Sequence, residues 1–210
     1  GRAGRARGCR SSVWDARRAQ TGFLVWGLDT RGAWGRGNAL ETPLLRETGR
    51  SELADQLAGV RYLKSQPWVD GGRIGIWGWS YGGYMTLYAL TNAPDVWKCG
   101  VAGAPVTDWK FYDTIYTERY MRTPAENPKG YEESAPLSKA KNLKARLLLL
   151  QGTADDNVHI QNSMAFIDAL TKAGRPYDLQ VQPGQKHGFR GKPSLDFRNA
   201  AIVKFFEDNL

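Results

Sequence analysis

A serine set among glycines, where a strand signal meets a helix signal, constrains this chain more than any other feature. Gly78-Trp79-Ser80-Tyr81-Gly82 fits the pattern G-x-S-x-G. The apolar run Arg73 to Trp77 before it reads as a strand, and a helix is predicted after it to about Leu90. A chain that reverses within about two residues holds the serine backbone in a strained conformation. Small residues on either side let strand and helix approach. The serine oxygen then stands above a sheet, at a helix N-terminus that favours developing negative charge. Such a turn needs a sheet beneath it and a helix packed on that sheet.

The rest of the chain supplies both. Phe23 to Leu28 reads as a buried strand, followed by a glycine-rich loop over 31–37. A helix starts at Ser51, with Leu53, Leu57, Val60 and Leu63 on its apolar side. Further strands are predicted at Cys99 to Ala104, Ala145 to Leu150 and Tyr177 to Val181. Residues 107–121 read as one aromatic-rich helix, and Pro124, Pro128, Gly130 and Pro136 mark an irregular crossing. Ile160 to Ala173 is a helix stopped by Gly174, and Ser194 to Asn209 a last helix with Ser194 as N-cap. Strands joined by crossover helices make a mainly parallel sheet covered on both faces, an α/β architecture.

Composition narrows the function classes. Of the 210 residues, 41% are hydrophobic and 24% charged, which is globular usage. No apolar run approaches the roughly 20 residues of a membrane helix. Cys9 and Cys99 are too few for a disulfide scaffold, and His159 and His187 leave little room for a histidine-rich metal site. The net charge of +8 belongs mostly to one end: residues 1–18 carry six arginines against Asp15, leaving +3 for the remainder. A folded basic groove for nucleic acid is therefore not expected. Residues 1–20, rich in Arg and Gly, are expected to form a disordered tail, with 21–210 as the folded domain. The first methionine is Met85, so the chain reads as a piece of a longer protein.

A serine hydroxyl is a poor nucleophile without a base. Where G-x-S-x-G joins a strand to a helix, the partners follow in the order Ser, Asp, His. His187 sits on a loop just past the Tyr177–Val181 strand, where a base belongs; His159 begins a helix directly after the acidic loop and suits a solvated or capping role. The acid belongs after the Ala145–Leu150 strand, where Asp155 and Asp156 both qualify. Trp109, Tyr112, Tyr116 and Tyr120 recur every three or four residues after Val106. Core packing explains one such aromatic; four together suit an apolar pocket near the nucleophile, which a flat proline ring would fill.

Gly78-Trp-Ser-Tyr-Gly-Gly-Tyr84, Trp97-Lys-Cys-Gly100, Tyr116-Thr-Glu-Arg-Tyr-Met121 and Gly152-Thr-Ala-Asp-Asp-Asn-Val-His159 resemble the catalytic domain of the prolyl oligopeptidase family of serine peptidases, in its dipeptidyl peptidase branch. The resemblance runs from about Phe23 to Leu210. It implies an α/β-hydrolase fold lacking its first strands. It implies Ser80 as nucleophile, Asp155 as acid, His187 as base, and the Tyr81 N–H as an oxyanion donor. Tyr81, Val106, Trp109, Tyr112, Tyr116 and Val158 match the family's pocket for the proline-like residue, and Asn157 matches a contact to the substrate backbone. The implied activity is release of N-terminal dipeptides after Pro or Ala through an acyl-enzyme, with no metal or organic cofactor. The implied partners are a peptide substrate and a second copy in a homodimer. Family members are often periplasmic, secreted or membrane-anchored, which leaves the compartment unassigned.

Departures from the family sharpen these expectations. The family's N-terminal propeller, which holds the substrate amine, has no counterpart here, nor does the strand whose loop gives a second oxyanion donor. The 210-residue chain is therefore expected to be weakly active or inactive alone. Gln151 stands where the family usually has His, and Gly-Phe-Arg-Gly after His187 is a variant loop. Cys99 is expected to be a free buried thiol. The competing readings are an acyl-peptide hydrolase, oligopeptidase or carboxylesterase of the same superfamily, a non-catalytic hydrolase-like module, and an RNA-binding arginine tail.

Overall fold

Side chains alternate between the two faces of a strand, and the central strands of this protein are apolar on both. The computed structural model describes residues 19–33 and 37–210. Four strands, β1 (Gly75–Trp79), β2 (Cys99–Gly103), β3 (Arg146–Gly152) and β4 (Asp178–Gln182), form one sheet in the order β1-β2-β3-β4. All neighbours are parallel, with Gly78 opposite Ala102 and Ala102 opposite Leu149. Cys99, Val101, Leu148 and Leu150 point to one face; Ala102, Leu147 and Leu149 point to the other.

Helices cover both faces. Helix α1 (Arg50–Lys64), α2 (Tyr81–Asn92), α3 (Thr114–Met121), α4 (Pro128–Ser134) and α5 (Gln161–Lys172) lie in chain order before α6 (Lys192–Asn209). Tyr84, Leu87 and Leu90 of α2 and Phe166 and Leu170 of α5 are fully buried with Leu147 and Leu149. Burying each such side chain contributes roughly 1.5–3 kcal/mol. The opposite face is covered by Ile202, Phe205 and Phe206 of α6, with Phe23 and Leu210 at its margin. Among the described residues, no helix is long and apolar enough to cross a membrane.

Several expectations need correction. Phe23 to Leu28 is not a buried strand: among the described residues it pairs with no strand, and Leu24, Val25 and Trp26 are exposed. Its anchors are ring contacts, Phe23 on Phe206 and Trp26 on Tyr62. The helix over 107–121 is broken. A 3₁₀ turn at Trp109–Phe111 ends in extended Tyr112, and α3 starts afresh after Asp113, whose carboxylate accepts from Tyr116 N. The strand before Ser80 runs two residues later than predicted, to Trp79, so the turn is confined to Ser80. Helix α6 starts at Lys192 after Gly191, placing Ser194 inside its first turn behind Pro193, a residue pre-set for that position. The crossing after Pro124 holds α4 and a 3₁₀ segment, Pro136–Asn142. Of the expected 1–20 tail, residues 1–18 lie outside the described residues, and Ala19 and Gln20 are helical.

Parallel strands put their carboxyl ends on one side. Ser80 follows β1, Val106 follows β2, Asp155 follows β3 and His187 follows β4. Open α/β sheets place their sites there.

Candidate active site

The backbone at Ser80 has φ 61° and ψ −117°, a left-handed φ that a residue with a side chain rarely adopts. Such strain costs of order 1–3 kcal/mol and persists only where the surroundings over-determine it. Here Ser80 N donates to Gly103 O at 2.8 Å, and Tyr84 N donates to Ser80 O at 2.9 Å to open α2. A Cβ at Gly78 would lie 2.4 Å from the Gly82 backbone, and one at Gly83 would lie 2.4 Å from Gly103 O. Gly83, outside the five-residue motif, thus lets the start of α2 touch β2, as Gly100 does further along, where a Cβ would lie 2.8 Å from Leu90.

His187, the candidate base, is held from two sides. His187 Nδ1 is 3.0 Å from Asp155 Oδ2, and the His187 carbonyl accepts from Trp79 Nε1 at 2.7 Å. Trp79 precedes the serine and also packs edge-on against Phe189. The loop comes this close because Gly152 has no side chain: a Cβ there would sit 2.1 Å from Gln185 O. Ala154 N donates to that same carbonyl at 3.0 Å. Among the described residues no hydrogen bond joins Ser80 Oγ to His187; such bonds are often long without substrate and tighten when it binds.

The two acids of the loop separate by geometry. Asp155 is buried, 5% exposed, and its Oδ1 accepts from Asn157 N and Val158 N, each at 3.0 Å. Asp156 is exposed and pairs with Lys186, whose hydrogen bond holds it below the usual carboxylate range. His159 is exposed at the start of the segment leading into α5, and its carbonyl accepts from Asn162 N at 3.0 Å.

Beside Ser80 lies a narrow cleft of about 20 Å³ lined by Tyr81, Val106, Trp109, Tyr112 and Tyr116. Trp109 stacks on Tyr116 at 5.9 Å and 20°, and Tyr112 meets Tyr116 edge-on at 5.3 Å. Burial pushes the Tyr81 and Tyr116 phenols above their ordinary range, so both stay neutral. Tyr112 OH donates to Asn157 Oδ1 at 2.7 Å, and beyond that bond a polar groove of about 340 Å³ opens past Lys110, Asp113 and His159. Val158 does not line the cleft; it is fully buried in the core with Val106 and Trp109.

Two residues of this region escaped the sequence reading as site residues. Glu52, 3% exposed in the first turn of α1, accepts from Tyr81 OH and from Gly49 N. Burial lifts its pKa above the usual carboxylate value. An acid early in a helix signals capping and gives no hint of a distant tyrosine. Gln151, noted only as a departure, is fully buried and donates to Asp155 Oδ2. Among the described residues, no three His, Cys, Asp or Glu side chains are placed to hold a metal ion. Cys99 is a free buried thiol pushed by burial up to about 12.

A strained serine between strand and helix, with a buried Asp paired to a partly exposed His at the carboxyl ends of β3 and β4, defines a protein of the α/β-hydrolase class. More narrowly, the chain belongs to the prolyl oligopeptidase family, whose model matches residues 11–210. It is 40% identical over 196 residues to "Dipeptidyl peptidase 8" of Mus musculus, covering 91% of this chain and 22% of that protein. It is 46% identical over 190 residues to "Probable dipeptidyl-aminopeptidase B" of Neurospora crassa, covering 89% and 20%. Its structure superposes on the crystal structure of Porphyromonas gingivalis dipeptidyl peptidase 4 with TM-score 0.85 and 44% identity, covering 87% of this chain and 26% of that one. The chain therefore spans about a fifth of the length of the curated relatives it matches.

Proposed function

We propose that this chain carries the acyl-transfer centre of a serine peptidase that releases dipeptides from peptide N-termini after Pro or Ala. The observation that carries the reading is the 3.0 Å contact of His187 Nδ1 with buried Asp155, on the same carboxyl-end side of the sheet as the strained Ser80. With Nδ1 committed to Asp155, Nε2 is the nitrogen left to take the Ser80 proton as Oγ attacks the scissile carbonyl. The Tyr81 N–H, at the first position of α2, donates to the oxyanion. Collapse of the tetrahedral intermediate expels the amine, which takes the proton back from His187. Water then repeats the sequence on the acyl-Ser80 ester.

The aromatic cleft supports a flat, apolar residue before the cut bond. Its small free volume requires the half-buried Tyr112 and Tyr116 rings to shift as that residue enters. The hydrogen bond from Tyr112 OH to Asn157, at the rim of this cleft, supports Asn157 as the contact to the substrate backbone. The relatives' names, dipeptidyl peptidase and dipeptidyl-aminopeptidase, favour release of dipeptides.

Fluorophosphonate labelling tests this reading, with mass spectrometry to place the adduct. We expect modification at Ser80 and none after Ser80→Ala; labelling that survives the substitution rejects the nucleophile. Xaa-Pro and Xaa-Ala amides then test specificity. Cleavage of acetyl-capped peptides in preference to free-amine ones would move the assignment to an acyl-peptide hydrolase.

A further inference from the structure

Gln151 sits near the carboxyl end of β3 with its side-chain amide fully engaged. Nε2 donates to Asp155 Oδ2 at 3.0 Å and to Val158 O at 3.2 Å. Oε1 accepts from Ser163 Oγ in the first turn of α5 at 2.9 Å. This orientation follows from chemistry: an ionised carboxylate and a backbone carbonyl only accept, so the NH₂ end must face both. Asp155 Oδ1 takes two backbone donors, and Oδ2 takes Gln151 and His187. Four donors fill the roughly four lone-pair sites of a carboxylate. The backbone donors grip Oδ1 alone. At Oδ2, the end that meets the base, Gln151 is the other partner.

We propose that Gln151 is a positioning residue for the acid: its amide fixes Asp155 Oδ2 against His187 Nδ1 and ties that oxygen, through the Val158 carbonyl, to the loop that carries Asn157. The proposal rests on the reading of Asp155 and His187 as acid and base. The fork explains why a glutamine serves here, since one amide supplies two donors where a neutral imidazole supplies one. Ser163 makes α5 part of the device, because its hydroxyl keeps the amide from rotating.

The test uses the whole chain. Gln151→Met keeps the length of the side chain and removes both donors. The first readout is the low-field proton of the His187 Nδ1–H···Asp155 hydrogen bond. With only two histidines in the sequence, His159→Gln assigns it. In a Gln151→Met variant with wild-type circular dichroism, we expect this signal to move or broaden away. The rate of Ser80 labelling should fall by about tenfold to a hundredfold, the effect of a small misplacement in a catalytic group. Gln151→His should recover part of that rate by returning one donor. Ser163→Ala should shift the signal less, in the same sense, and decides the matter if Gln151→Met does not fold.

A low-field proton unchanged in position and width in folded Gln151→Met overturns the proposal. So does an unchanged signal in Ser163→Ala where that variant decides. A wild-type spectrum without the signal, identical to Asp155→Asn, overturns both the proposal and the acid–base reading. A signal that responds to Gln151→Met in a chain that is never labelled at Ser80 rejects the peptidase reading and leaves the positioning contact standing.

Discussion

The turn after β1 and the loop after β3 both present a candidate catalytic side chain at the same edge of the sheet, and they are built in opposite ways. The turn is made by backbone crowding. Gly78, Gly83 and Gly103 each face a neighbour within 2.4 Å of where a Cβ would be, and Ser80 absorbs the strain. Past Gly152, whose missing side chain admits the Gln185 carbonyl, the loop is made by hydrogen bonds to side chains: Asp155 receives two backbone donors, an imidazole and the amide of Gln151. Steric construction tolerates no added atom, whereas polar construction tolerates isosteres that keep the donors.

The largest effect that would break this contrast is expected at Gly78. Gly78→Ala forces a methyl into the Gly82 backbone, which no rotamer relieves. Destabilisation of about 3 kcal/mol or more is expected, the range of strained and overpacked sites. Urea unfolding followed by circular dichroism measures it. A loss below about 1 kcal/mol would mean that the turn can open without penalty.

The difference in construction decides what the sequence reveals. Glycines at fixed offsets around a serine mark the turn in one dimension, so Ser80 and the strand–helix junction were legible. Parallel order followed from alternating elements, and with it the loops that carry Asp155 and His187. The choice between Asp155 and Asp156 was not legible from local pattern, because both sit side by side in the loop that follows β3; burial and the Lys186 pair separate them in three dimensions. In the sequence Gln151 shows only as a departure from the family's His; Ser163, twelve residues on, orients its amide in the fold. The Phe23–Leu28 error has a similar cause. A short apolar run carries no record of whether a partner strand lies beside it, and here none of the four strands does. The 107–121 helix failed where Asp113 diverts its carboxylate to cap Tyr116 N, a local competition that periodicity does not register.

Trp79 joins the two constructions, since it belongs to β1 and donates to the carbonyl of His187. Trp79→Phe keeps the ring on Phe189 and removes the donor. The expected loss is about 1 kcal/mol, the net worth of one hydrogen bond, and the His187 loop should lose amide exchange protection while α2 keeps it. Equal loosening of both would show that turn and loop are one cooperative unit.

The smallest expected effect concerns Glu52, which brings a charge to the otherwise steric side by holding Tyr81 OH. Burial raises its pKa in the folded protein above that of the unfolded chain. A group raised in this way favours folding below the unfolded value, near 4.5, and that contribution is lost as pH rises through the folded value. Glu52→Gln removes the titration. The melting temperature of the wild type should therefore fall, relative to the variant, between pH 4 and neutrality, by no more than a few degrees for a domain of this size. Parallel melting curves across that range would mean that Tyr81 is placed by ring packing on Trp109 and Tyr84 alone. The helix side of the turn would then be as purely steric as its strand side.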